Sequence, residues 1–183
     1  MNDKFKIILT HPGDISDFSS ISNVHDVFHF PTIKIKRNVI EISDIDSYDF
    51  LLFSSKYGAT IFTQLKAINF SNINALCVGY KAKDILMNNG VNISFCSNSY
   101  KENIIKDIKL LKLIRGKKIL YLTGNLSDSS IEKSLQNICE IKRLDIYETL
   151  EITNKYDQFE DLLVSTKCVV VFTSPSAFKY FYK

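Results

Sequence analysis

The chain reads as an α/β protein: short parallel strands covered on both faces by helices, organised as two related halves. Three observations predict this. Apolar runs of four or five residues recur between stretches of helical periodicity, the runs are continuous Ile, Val, Leu and Phe, and two different motifs each occur twice in the same order. Continuous apolar runs suit strands buried on both faces, as in a parallel sheet sandwiched between helices. The doubled motifs are DFLLFSSKYGATIF from Asp49 against CVVVFTSPSAFKYF from Cys168, and IILTHPGDIS from Ile7 against ILYLTGNLSD from Ile119. Their offsets, 119 and 112 residues, are nearly equal, which marks a duplicated architecture.

The elements follow in order. An Ile/Leu run predicts a strand over 6–10, and helical spacing predicts a helix over 15–25. A strand over 29–36 precedes a polar link to a strand over 50–54, then a helix over 57–68 and a strand over 75–79. A helix over 82–88 stops at Asn89-Gly90, and a strand over 92–96 follows. Ser99 and Glu102 form a capping box that opens a helix over 100–114, with Ile104, Ile105, Ile108 and Leu111 on its apolar face and Lys106, Lys109 and Lys112 opposite. A strand over 118–123 closes the series. Ser55 and Ser174 each stand between a strand and a helix, where a hydroxyl caps the helix and free N–H groups point outward.

With 183 residues and 45% hydrophobic content, the chain can bury one substantial core or two of about 90 residues. Two modest domains are expected. After Phe53 the first copy runs on for 63 residues, whereas only 11 follow Phe172, so roughly 50 residues of the second copy are expected to be absent. Such a gap would leave apolar surface around Val169–Val171, Phe172, Phe178 and Phe181 and weaken both activity and solubility.

A net charge of +3, with lysine spread along the chain, argues against nucleic-acid binding. No run of 18 apolar residues exists, and MNDKFKIILTHP passes from charge straight into a strand pattern, so a soluble, cytoplasmic protein without membrane association is expected. Cys77, Cys96, Cys139 and Cys168 have no CxxC spacing and read as buried thiols. His25 and His29 are four apart but belong to different elements, so neither a metal pair nor any other metal site is expected. GxGxxG, P-loop, HExxH and GxSxG motifs are all lacking, which removes the local signatures of dinucleotide, nucleotide, zinc and hydrolase chemistry.

Ligands of open parallel sheets bind beyond the carboxyl ends of the strands. Six polar turns fall there: His11-Pro12, Ser54-Ser55, Gly79-Tyr80, Ser97-Asn98, Gly124-Asn125 and Thr173-Ser174. Turn geometry alone accounts for any one of them; six together predict a polar cleft.

The ordered set ILTHP, FPTIKI, DFLLFSSKYGATIF, CVGYKAKDIL, ILYLTGNLSD, DIYETL and VVVFTSPSAF resembles the uroporphyrinogen-III synthase family over almost the whole chain. The resemblance implies two doubly wound parallel-sheet domains joined by a two-strand linker. Domain one would hold residues 1–33 and 150–183, incomplete at its C-terminus, domain two residues 38–146, and the linker strands 30–37 and 141–150. It implies a cofactor-free hydro-lyase, acting as a monomer in haem biosynthesis. The linear polycarboxylate hydroxymethylbilane would be cyclised to uroporphyrinogen III with loss of water and inversion of the fourth pyrrole ring.

By the same resemblance Tyr147 would stand near the leaving hydroxyl as hydrogen-bond donor or weak acid. Thr10, Ser54, Ser55, Gly79, Gly124, Asn125, Thr173 and Ser174 would bind substrate carboxylates. The chain departs from the family pattern at Ala82, where threonine is common, at His11, where arginine often precedes the proline, and in a second Gly-Pro-Thr-Thr-like turn, which has no counterpart. The alternatives are a non-catalytic two-lobed module for an anionic ligand, or an inactive, truncated synthase; turnover distinguishes them from the enzyme.

Overall fold

The computed structural model describes residues 4–40, 42, 44–65, 68–97, 106–153 and 167–182. In chain order the elements are β1 (Lys6–Leu9), α1 (Ser19–Ser22), β2 (Asp26–His29), β3 (Ile33–Arg37), β4 (Phe50–Phe53) and α2 (Lys56–Thr63). They continue with β5 (Asn74–Val78), α3 (Tyr80–Asn88), β6 (Asn92–Ser97), α4 (Ile108–Ile114) and β7 (Lys118–Gly124). The last are α5 (Ser130–Leu135), β8 (Glu140–Glu151), β9 (Cys168–Val171) and α6 (Pro175–Phe181). The chain forms two compact units, one of Met1–Lys36 with Thr149–Lys183 and one of Arg37–Glu148. It passes from one to the other within β3 and within β8.

In the larger unit the strands run β8-β7-β4-β5-β6, with every pairing parallel. Ranked by position along the chain, that order reads 5-4-1-2-3, so the winding reverses between β4 and β7. This is the doubly wound α/β arrangement, and its reversal point is where such sheets open a crevice at their carboxyl ends. The continuous FLLF run of β4 is buried throughout, as strands covered on both faces must be. Phe50 and Leu52 join Leu110, Ile114, Ile131 and Leu135 from α4 and α5 in one core layer. Phe53, on the other face, stacks at 5.2 Å on Phe62 of α2.

The smaller unit has three described strands in the order β2-β1-β9, all parallel. Its core is Ile8 and Phe30, with Phe28, Cys168, Val170 and Phe181 packed against them.

Four predicted elements differ in extent. The helix expected over 15–25 is a 3₁₀ turn, Ser16–Phe18, followed by a single α turn, Ser19–Ser22. Serine-rich sequence competes with the helix through its own hydroxyls, no side chain caps this turn, and none of its residues is buried, so nothing offsets the cost of propagation. The strand expected over 29–36 is two strands, β2 and β3, parted around Pro31. Proline has no N–H for a ladder, and the chain uses the break to leave one sheet and join the other. The helix over 57–68 ends at Thr63 with Gln64 as C-cap.

The helix over 100–114 is described from Ile108, where Asp107 caps it by accepting from the N–H groups of Lys109 and Leu110. The predicted Ser99–Glu102 capping box lies outside the described residues. The buried face of α4 carries Leu110 and Ile114, while Ile108 is 68% exposed. A helix starting at Asp107 places Leu110 and Ile114, four apart, toward the sheet and turns Ile108 outward. Of the predicted apolar face, Leu111 packs against the core and Ile108 does not, while Ile104 and Ile105 lie outside the described residues.

Candidate functional site

Two serine-tyrosine pairs meet at the reversal point of the larger sheet. Ser55 follows β4 and caps α2, its Oγ accepting from the N–H groups of Tyr57 at 3.1 Å and Gly58 at 3.5 Å. The same Oγ accepts the Tyr147 hydroxyl at 3.0 Å. Its neighbour Ser54 lies 2.6 Å from the hydroxyl of Tyr121, which is also 3.0 Å from Ser127 Oγ. Three strands, β4, β7 and β8, and the turn after β7 thus join through hydroxyl groups at one edge.

Tyr147 reaches this position through a register step. Thr123 of β7 pairs with Asp145 of β8, but Gly124 pairs with Tyr147, so β8 holds one extra residue. A bulge of this kind re-aims the side chains beyond it. Here both Ile146 and Tyr147 are buried. The Tyr147 ring then lies across Gly124, and a Cβ there would overlap the ring. A side chain at position 124 would need that ring to shift. Tyr57 meets the Tyr147 ring edge-on, with centroids 6.2 Å apart.

Burial raises the pKa of the Tyr147 phenol above its usual value, the bond to Ser55 partly opposing it. The Tyr57 phenol is pushed up to about 12, first by burial and then by Tyr147. Both remain protonated donors throughout the neutral range.

Arg143, two residues before the bulge, clamps the turn after β7. It donates to the carbonyls of Gly124 at 2.9 Å and Ser127 at 2.8 Å while pairing with Asp145 at 2.7 Å and Glu132 at 3.3 Å. Asn125 donates its backbone N–H to the Tyr147 carbonyl at 3.2 Å. Gly79 caps α3 with φ +88° and donates its N–H to the Ser97 carbonyl at 2.9 Å. A positive φ is what favours glycine at that turn.

The structure thus brings together Ser54, Ser55, Gly124, Asn125 and Tyr147, and sets Gly79 at the next strand end but one from β7. Thr10, Thr173 and Ser174 belong to the other unit. Ser174 caps α6, its Oγ accepting from Ala177 N–H at 3.1 Å and lying 3.1 Å from Ser176 Oγ. Thr173 is exposed. Thr10 is fully buried, and both its N–H and its hydroxyl donate to the Val171 carbonyl, so it ties β1 to β9 instead of presenting a donor to a ligand.

Sequence reasoning did not single out Tyr121, Ser127, Arg143 or Tyr57. The one available signal was Tyr121 itself, a phenol inside an apolar run, where a buried tyrosine needs a partner for its hydroxyl.

The other polar groups behave differently. His29 Nε2 donates to the His11 carbonyl at 3.0 Å, while His25 Nδ1 accepts from Phe5 N–H at 3.4 Å. The two imidazoles therefore serve separate backbone groups, and no cluster of metal-ligating side chains occurs among the described residues. All four cysteines are free thiols; Cys77 and Cys139 are buried, Cys96 and Cys168 only partly so. Burial, reinforced by Cys96, pushes the Cys77 thiol up to about 12. A groove of about 740 Å³ along α3, β6 and α4 contains none of the candidate residues. No helix among the described residues is long and apolar enough to cross a membrane.

Comparison with known proteins gives one consistent result. The profile of the family described as uroporphyrinogen-III synthase HemD matches residues 22–183. A protein of Methanocaldococcus jannaschii, provisionally named a uroporphyrinogen-III synthase, is 27% identical, the match covering 97% of this chain and 77% of that protein. The crystal structure of uroporphyrinogen-III synthetase from Helicobacter pylori superposes with a TM-score of 0.70 at 18% identity, covering 97% of this chain and 77% of that one. A mutant uroporphyrinogen III synthase from Thermus thermophilus gives a TM-score of 0.65 at 12% identity, covering 97% and 76%. At these identities the two solved structures establish the fold.

Proposed function

The chain belongs to the uroporphyrinogen-III synthase family, and from that premise we propose that it cyclises hydroxymethylbilane to uroporphyrinogen III, losing water and inverting the fourth pyrrole ring. The observation that carries the reading is the Tyr147 hydroxyl, a protonated donor held at 3.0 Å from Ser55 at the reversal point of the sheet. Dehydration needs a proton delivered to a departing hydroxyl, and the Tyr147 phenol, kept neutral by burial, can turn its one proton from Ser55 Oγ to that group.

The substrate is a linear tetrapyrrole bearing many carboxylates. The Ser54 and Ser55 hydroxyls supply donors of the kind that bind such groups, and the Gly79, Gly124 and Asn125 turns, whose Gly79 and Asn125 N–H groups are held by the Ser97 and Tyr147 carbonyls, shape the strand ends around them. Thr173 and Ser174 supply the same chemistry in the smaller unit, while Thr10 acts there as a tie within the sheet. No general base or nucleophile is required of the chain. Its contribution is to hold the reacting ends together and to disfavour ring closure without inversion. The reading describes a monomer acting in the cytoplasm on a diffusible small molecule.

The test is turnover of freshly generated hydroxymethylbilane by the purified chain, with separation of the type III product from the type I isomer that forms spontaneously. Type III in excess over the protein-free reaction supports the synthase. Type I alone from folded protein overturns it and leaves a binding module.

A further inference from the structure

Tyr147 has a counterpart on the opposite face of the same sheet. Tyr121 of β7 is fully buried in the layer beneath α4 and α5, yet its hydroxyl ends at the carboxyl edge, 2.6 Å from Ser54 Oγ and 3.0 Å from Ser127 Oγ. Tyr147 lies on the α2 face and meets Ser55. Each of two consecutive serines is therefore backed by one tyrosine hydroxyl, from opposite sides of the sheet.

We propose that Tyr121 is a positioning residue: through its hydroxyl it fixes Ser54 as an outward-pointing hydrogen-bond donor, as Tyr147 does for Ser55, so that each of the two adjacent serines presents a proton to the carboxylates of the ligand. The inference rests on the functional reading above and adds to it the device that sets donor polarity.

The hydroxyls themselves dictate the polarity. Ser55 Oγ already accepts from Tyr147 O–H and from two backbone N–H groups, so its own proton is directed away from them. Ser54 faces a tyrosine with one proton and two hydroxyl neighbours. If Ser127 donates to Tyr121 and Tyr121 donates to Ser54, the Ser54 proton is released outward, as at Ser55. The reverse direction would turn Ser54 inward and present lone pairs to the ligand. A carboxylate is acceptor-only and selects the first arrangement. Since Leu52 and Tyr121 are register partners on β4 and β7, the link also spans the point where the sheet reverses its winding.

The experiment measures equilibrium binding of uroporphyrin III, a stable octacarboxylate, to the full chain by fluorescence titration, beside hydroxymethylbilane turnover. Tyr121→Phe keeps the ring that fills the core and removes only the hydroxyl. It is expected to weaken uroporphyrin binding and raise KM about fivefold, with kcat changed less than twofold. Ser54→Ala gives the same loss, and the double variant no more than either alone, because both remove one donor. Ser127→Ala gives a smaller loss, since Ser54 keeps its tyrosine.

Thermal melting of each variant checks folding, and a purely structural role would lower the melting temperature while leaving the two losses additive. Unchanged binding in folded Tyr121→Phe, additive losses, or no uroporphyrin binding by the unmodified chain overturns the inference. Binding with non-additive losses but without type III product sustains the inference and overturns the synthase reading instead.

Discussion

The two serine turns of the duplicated motif start from nearly the same sequence and finish in different surroundings. In each, an apolar strand leads through a Phe and a hydroxyl residue to a serine that caps the following helix: Ser55 for α2 and Ser174 for α6. Phe53 is fully buried between strands on both sides, whereas Phe172 is partly exposed and rests on Phe178, Phe181 and Tyr182, with Phe178 itself half-exposed. Ser55 receives a tyrosine hydroxyl from another strand; the described partner of Ser174 Oγ beyond its cap is the nearby Ser176. The capping geometry is local and repeats faithfully. The chemistry at the turn depends on which strands stand beside it.

Phenylalanine truncation should separate the two turns most widely. Phe53→Ala is expected to cost about 3–5 kcal/mol of unfolding free energy, and Phe172→Ala about half of that, because less apolar surface returns to water at a partly exposed site. Urea titration of both variants checks this, and equal losses would remove the asymmetry.

Tyr147→Phe comes next. Turnover should fall about 10²-fold while uroporphyrin binding stays within about twofold, since the hydroxyl acts on the departing group more than on the carboxylates. Because burial raises the phenol's pKa, its proton is retained below the ordinary tyrosine range and lost only as pH rises through the raised value. A pH profile of turnover should therefore have no alkaline limb assignable to Tyr147 below about pH 10.

Gly124→Ala introduces a Cβ where the Tyr147 ring already lies. Stability should drop by about 1–3 kcal/mol, with turnover falling alongside as the ring is displaced. A fully active, equally stable variant would show that the ring is free to move aside.

The serines themselves give the smallest effect. Ser174→Ala should cost about 1 kcal/mol as a lost helix cap, and Ser55→Ala roughly 1 kcal/mol more, because the Tyr147 hydroxyl also loses its acceptor inside the protein. Matching losses in chemical denaturation would mean that the Tyr147 link adds nothing to the larger unit.

Much of the fold was legible because it rests on local rules. The continuous runs at 50–53, 75–77 and 119–122 read as parallel strands for the reason that they are such strands: neither face meets water. The caps at Ser55 and Ser174 and the stop at Asn89-Gly90 follow from chemistry within a few residues. Where the sequence misled, a longer-range term decided. Hydrophobic spacing over 15–25 did not become a long helix without a core to pack against, and the 29–36 run divided because Pro31 could not continue a ladder.

The composition of the candidate site was visible, but its wiring was not. Ser54, Ser55, Gly124, Asn125 and Tyr147 stood out as turn or linker residues, yet sequence spacing says nothing of a tyrosine 92 positions from the serine that accepts its hydrogen bond. That contact depends on the extra residue in β8, on the absence of a side chain at Gly124, and on the pairing of β7 with both β4 and β8. The sequence by itself determined the α/β class, the central strands of the larger sheet, the caps at Ser55 and Ser174 and the family, because burial periodicity and turn chemistry act over a few residues. Only the tertiary structure decided which hydroxyls meet, because strand order and register bring distant residues within 3 Å of one another, and a single-residue step in register redirects a side chain.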